Sequence, residues 1–169
     1  MNTMNRPTEM LLTTGGLGYW HPASGTWGSM PTVVVAGVLI AAGLGPGTDL
    51  AWIYFLVLSL ILVIYSAACV LMGHEAEAKW GKDPSEVVAD ETAGQAITLM
   101  MIPAAWTTQW PALLSILLGA FLFFRAFDIL KPWPAGAMQS IAGGWGILLD
   151  DIFAGLMAGV LLLIAAAVL

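Results

Sequence analysis

Leu50–Gly73 reads LAWIYFLVLSLILVIYSAACVLMG, 24 residues without one charged side chain. A helix needs about 20 such residues to cross roughly 30 Å of hydrocarbon. Ile152–Leu169 is a second charge-free run, of 18 residues. Between Glu91 and Arg125 lie 33 uncharged residues, too many for one helix, with Pro103 and Pro111 bracketing a polar break at Trp106–Gln109. One helix is therefore predicted to end near Ile102 and another to start near Trp110. Ser29–Leu44 is a shorter apolar segment closed by GLGPGTD, Gly43–Asp49. With 59% hydrophobic and 9% charged residues, against about a quarter charged in a soluble domain, the 169-residue chain is predicted to be one all-α integral membrane domain, residues 1–169, of about five spans.

The five basic residues orient it, since lysine and arginine are retained on the cytoplasmic side. Arg6 precedes the first span, Lys79 and Lys82 lie between the second and third, and Arg125 and Lys131 close the fourth; the connections at Gly43–Asp49 and Pro103–Gln109 carry none. The alternation predicts a multi-pass protein of the cytoplasmic membrane with its N-terminus inside and its C-terminus outside. TTGGLGYWHPASG offers no continuous apolar core for a cleavable signal. The single cysteine, Cys69, permits no intramolecular disulfide, and a net charge of −6 disfavours nucleic acid as a partner. Oligomeric state is left open.

The acidic residues gather at one level. GILLDDIFAG (Gly146–Gly155) sets Asp150 and Asp151 before the last charge-free run, where one aspartate suffices to cap a helix. SEVVADETAGQAIT places Asp90 and Glu91 at the start of the third span; a cap at Ser85 would put both more than a turn inside it, pointing about 100° apart. In FFRAFDILKPWP, Arg125, Asp128 and Lys131 form a stripe at i, i+3 and i+6. An ion pair with a helix stop explains that stripe, and so does recognition of an anionic headgroup beside a metal. SGTWGS (Ser24–Ser29) is read as a small-residue loop whose Gly25, Thr26, Gly28 and Ser29 let backbone amides approach an anion. His74, beside Glu75, is a weaker candidate at the same level.

Asp90, Glu91, Asp128, Asp150 and Asp151 make a hard, oxygen-rich ligand set that selects Mg²⁺, with Mn²⁺ or Ca²⁺ as substitutes, over zinc or copper. With Arg125, Lys131, Thr26 and glycine amides, such a set can hold a divalent ion and a phosphate together. The expectation is hydrolysis of a phosphomonoester in the bilayer, with all five carboxylates as candidate catalytic groups. Glu91, Asp128, Asp150 and Asp151 are the candidate metal ligands, and Gly25, Thr26, Ser29, His74, Arg125 and Lys131 the candidate substrate contacts. No Asp-x-Asp nucleophile motif occurs. A cation- or proton-coupled transporter is the alternative, since intramembrane carboxylates also line ion pathways, but these cluster on one side and no internal repeat is visible.

GTWGS, KDPSEVVADETAG, FRAFDILKPWP and GGWGILLDDIFAG, in this order and over about Gly16–Ala165, resemble the phosphatidylglycerophosphatase A family. That resemblance implies Mg²⁺-dependent removal of the terminal phosphate of phosphatidylglycerophosphate, giving phosphatidylglycerol. It also implies a helical bundle around a central buried helix, with the family's acidic motif on Asp90 and Glu91, its arginine–aspartate–lysine motif on Arg125, Asp128 and Lys131, and its aspartate pair on Asp150 and Asp151. Two positions depart from the family pattern, Ser24 where a proline is usual and Ala89 where a larger residue is common.

Overall fold

A computed structural model describes residues 4–82 and 84–168, so Asp83, in the predicted connection between the second and third spans, and Leu169, the predicted end of the last span, lie outside the described residues. The chain runs α1 (Arg6–Leu12), a 3-10 turn (Leu17–Tyr19), α2 (Ser24–Ala41), α3 (Ala51–Trp80), α4 (Ala89–Met100), a second 3-10 turn (Ala104–Thr107), α5 (Trp110–Leu130), α6 (Ala135–Met138) and α7 (Gly144–Val168). Among the described residues there is no strand. Four helices, α2, α3, α5 and α7, are long and apolar enough to cross a membrane. The fold is therefore an all-helical membrane bundle.

The helix predicted as the third of about five spans differs from these four. α4 has 12 residues, about 18 Å at 1.5 Å per residue, well short of the hydrocarbon thickness. It is the central helix: nine of its residues are buried, among them Asp90, Thr92, Gln95 and Thr98. Its sequence predicts a span like the others; its environment is protein rather than lipid, which lets polar side chains be used as ties. Tyr54 of α3 donates to the Leu99 carbonyl at 2.8 Å, Thr92 donates to the Gly28 carbonyl of α2 at 2.9 Å, and Thr98 donates to the Gly155 carbonyl of α7 at 3.0 Å. Beyond α4 the second 3-10 turn leads to the opposite end of the bundle. There Trp106 Nε1 donates to the Ala166 carbonyl and Thr107 to the Pro46 carbonyl.

α4 and α7 run side by side in the same direction at backbone contact. A Cβ on Gly155 would lie 2.3 Å from the Gly94 carbonyl oxygen, and one on Gly94 would lie 2.5 Å from that of Asp151. Only glycine at both positions permits this approach. The consequence for the site is that the first turn of α4 and the second turn of α7 are pressed together, Asp90 and Glu91 on one and Asp150 and Asp151 on the other.

Several predicted boundaries shift, each for a physical reason. The last span starts at Gly144 rather than Ile152, so Asp150 and Asp151 are not caps; they sit in the helix body, where their buried charge interrupts the hydropathy pattern but not the helix. α4 starts at Ala89, after Val88 and with no side-chain cap, so Ser85 does not cap it and Asp90 and Glu91 occupy its first turn. Ser24–Ser29 is not a loop but the opening of α2. α3 continues to Trp80 through HEAEAKW, placing His74, Glu77 and Lys79 on a helix rather than in a connection. The predicted start at Trp110 matches α5.

Candidate active site

The carboxylates meet at one end of the bundle. Asp90, Glu91 and Asp151 each bring an oxygen into a group whose members all lie within 4.8 Å of one another. Asp90, Asp150 and Asp151 are buried, as is Asp128, which α5 presents from the side. Five acidic groups are thus packed with two basic ones, Arg125 and Lys131.

The two cations divide the carboxylates into two kinds. Arg125 Nη1 lies 2.5 Å from Asp128 Oδ2 and 3.9 Å from Glu91 Oε1. Lys131 Nζ donates to Asp150 Oδ2 and stands 3.9 Å from Asp128 Oδ1. Lys131 is the left-handed C-cap of α5, with φ 44°, and Pro132 after it prevents the helix from continuing. Burial pulls the Lys131 ammonium down, but its hydrogen bond to Asp150 and the charges of Asp150, Asp151 and Asp128 outweigh this and hold it above its ordinary value. Asp128 and Asp150 therefore anchor the basic side chains. By contrast Asp90 Oδ1, Glu91 Oε2 and both oxygens of Asp151 are buried and accept no hydrogen bond. Buried acceptors of this kind are rare and costly unless something positive or protic fills the space between them.

α2 closes the site from the other side. Gly25, in its first turn, approaches so closely that a Cβ would fall 2.3 Å from Glu91 Oε1 and 2.6 Å from Arg125 Nη1. The N-terminal turn of α2, with its positive dipole end, thus abuts the Glu91–Arg125 pair. Ser29 is buried and spends its hydroxyl on the Gly25 carbonyl at 2.8 Å, bracing the turn. Thr26 is half-buried beside it. His74 is exposed on α3, and no hydrogen bond or ion pair ties it to the carboxylates.

Two residues that sequence reasoning missed support the same turn of α4. The Thr92 hydroxyl lies 2.8 Å from that of Thr14 and within reach of the Gly28 and Val88 carbonyls, tying α2 and the N-terminal segment to α4. Gln95 is fully buried one turn beyond Glu91, with Nε2 directed at the Ala120 carbonyl of α5 at 3.4 Å. The available signal was the i, i+4 spacing of Glu91 and Gln95, which puts both on one helix face.

Fold and site together define a multi-pass helical membrane protein with an acidic centre, clamped by one arginine and one lysine, at one end of the bundle. The family described as Phosphatidylglycerophosphatase A matches residues 10–166. Two proteins named Phosphatidylglycerophosphatase A are similar to the chain. The one from Haemophilus influenzae is 35% identical over 90% of this chain and 84% of its own length; the one from Escherichia coli is 33% identical over 94% and 83%. A protein of Bacteroides thetaiotaomicron, provisionally named a phosphatidylinositol-3-phosphatase, is 33% identical over 96% of this chain and 97% of its own. No solved structure matches. The chain belongs to the phosphatidylglycerophosphatase A family, and it is an enzyme of the phosphatase class.

Proposed function

We propose that this protein hydrolyses the terminal phosphate of phosphatidylglycerophosphate to phosphatidylglycerol and inorganic phosphate, in a Mg²⁺-dependent reaction at the cytoplasmic face of the inner membrane. The observation that carries this reading is the trio Asp90, Glu91 and Asp151, with buried oxygens that accept no hydrogen bond, beside Arg125 and the start of α2. An all-oxygen set with excess negative charge suits a hard divalent cation, so the residues fit Mg²⁺. Asp90, Glu91 and Asp151 would hold it, with Asp128 and Asp150 adjoining. When bound, such an ion neutralises the phosphoryl oxygens and orients the reacting groups.

The chain's own residues supply the rest. Arg125, fixed by Asp128, and Lys131, fixed by Asp150, present two positive groups to the phosphate, and the first turn of α2 at Gly25 brings the positive end of the helix dipole beside them. Water attacks phosphorus as the bond to the lipid's glycerol oxygen breaks. A carboxylate of the trio takes the water proton and then returns it to the departing glycerol oxygen. Packing of α4 against α7 through Gly94 and Gly155 holds the carboxylates at fixed spacing, so little reorganisation is needed during reaction.

The cytoplasmic assignment rests on the basic residues. With five crossings, Arg6, Lys79, Lys82, Arg125 and Lys131 all fall toward the end of the bundle that carries the acidic cluster, while the connections 43–49 and 103–109 at the other end have none. The name of the Bacteroides relative favours a second reading, a different lipid headgroup on the same phosphomonoester chemistry. Phosphate release by the purified protein from phosphatidylglycerophosphate, phosphatidylinositol-3-phosphate and phosphatidic acid in matched micelles separates the two. The leading reading expects the first to have the highest kcat/KM; preference for the inositol lipid would replace it.

A further inference from the structure

Gln95 carries an observation that the hydrolytic scheme above does not use. It is fully buried on α4, and its Oε1 has no hydrogen-bond partner. Its amide cannot simply be turned round to cure this, because the Ala120 carbonyl only accepts and so requires the Nε2 side. The oxygen is therefore left without a donor by the packing itself, and a buried acceptor in that state calls for one. Gln95 stands four residues after Glu91 on one helix face, where side chains are about 5–6 Å apart at Cβ. Glu91 Oε2, Asp90 Oδ1 and Asp151 Oδ1 and Oδ2 are buried acceptors in the same condition. Carboxylates and an amide carbonyl offer one another no proton when ionised, so their shared need is for a species with two donors or a positive charge. Gln95 lies one helical turn further into the bundle than Glu91, so it forms the layer next to the trio.

We propose that Gln95 is a positioning residue of the cation site: its Oε1 holds a buried water that also donates to Glu91, fixing the Glu91 carboxylate for cation binding from below. Nε2, tied to α5, sets the amide's orientation, and a buried water typically satisfies two to four polar groups in this manner. The proposal rests on the divalent-cation reading given above. It differs from a purely structural role, in which Gln95 only ties α4 to α5 through Ala120.

The test is Mn²⁺ binding to the purified, chelator-stripped protein, followed by loss of the free-ion electron paramagnetic resonance signal, together with a thermal melt. Gln95→Leu keeps the volume and removes both polar atoms. The expected result is Mn²⁺ affinity weakened about 10–100-fold, the range for residues that orient metal ligands, with Tm in chelator unchanged or raised. Gln95→Glu, which restores an acceptor on the same stem, is expected to recover binding to within about threefold of the unaltered protein. Gln95→Leu with affinity unchanged and Tm lowered would establish the structural tie alone and overturn the proposal. Should the unaltered protein itself bind no Mn²⁺, the cation reading fails first, and that outcome is read before any variant is made.

Discussion

Gly25→Ala separates the site's geometry from the fold's stability. The substitution places a Cβ 2.3 Å from Glu91 Oε1 and 2.6 and 2.8 Å from the two terminal nitrogens of Arg125. Ordinary contact begins at 3.4 Å, so the Glu91 oxygen has to retreat by about 1 Å and the guanidinium by somewhat less. Both are ends of side chains and can move, so the protein still folds. Gly25 lies within α2, where alanine is intrinsically better than glycine by about 0.8–1 kcal/mol, which offsets part of the crowding cost. The catalytic consequence is larger, because a misplacement of about 1 Å at a reacting centre can cost about 100-fold in rate. The assay pairs phosphate release from phosphatidylglycerophosphate with a thermal melt in the same detergent. The expected outcome is activity lowered about 100-fold with Tm within a few degrees of the parent. Activity within threefold of the parent would show that the α2 turn does not adjoin the reacting groups and would refute the reasoning.

Three other outcomes follow from the same structure. Asp151→Asn is expected to lower phosphate release by at least about 100-fold, while raising Tm in chelator, since it removes one charge from a packed acidic cluster; a lowered Tm would mean that Asp151 is structurally paired. Thr92→Val keeps the shape but removes the hydroxyl that ties α4 to the Gly28 carbonyl and to Thr14, so denaturant unfolding should show a loss of about 0.5–1.5 kcal/mol, and no loss would mean that these ties add nothing to stability. Glu9 is held below its ordinary carboxylate value of 4.5, first by its hydrogen bond to Lys79, 2.6 Å away, and then by Tyr19. Burial and Glu9 in turn push the Tyr19 phenol up to about 12. A lowered folded value means that the tie joining α1 to α3 is complete above pH 4.5 and is lost as pH falls through that lower value. Proteolysis of the N-terminal segment should therefore accelerate only in acid, and Lys79→Met should accelerate it at neutral pH.

The long lipid-facing helices were legible in sequence because the bilayer demands continuous apolar length, as Leu50–Gly73 shows. The charged motifs were legible too, since a chain with so few ionisable groups had placed them at one level. What stayed hidden was the interior. α4 was readable only as one of five spans, because a 12-residue helix surrounded by protein can carry Asp90, Glu91, Thr92, Gln95 and Thr98 where lipid would forbid them. For the same reason the start of α7 was placed eight residues late: buried aspartates in a helix body look like a helix entrance when hydropathy is the guide. The division of labour among the carboxylates depends on which oxygens Arg125 and Lys131 reach, and spacing along the chain cannot encode that. Gln95 went unnoticed because a single amide in an apolar context has many harmless explanations until its oxygen is seen to lack a donor.

Phosphate release from phosphatidylglycerophosphate, measured as Mg²⁺ is titrated back into chelator-stripped protein, bears most directly on the central claim. The trio of Asp90, Glu91 and Asp151 predicts no release in chelator and a saturable recovery with Mg²⁺ that Asp151→Asn abolishes. Full activity in chelator, undiminished in that variant, would contradict it.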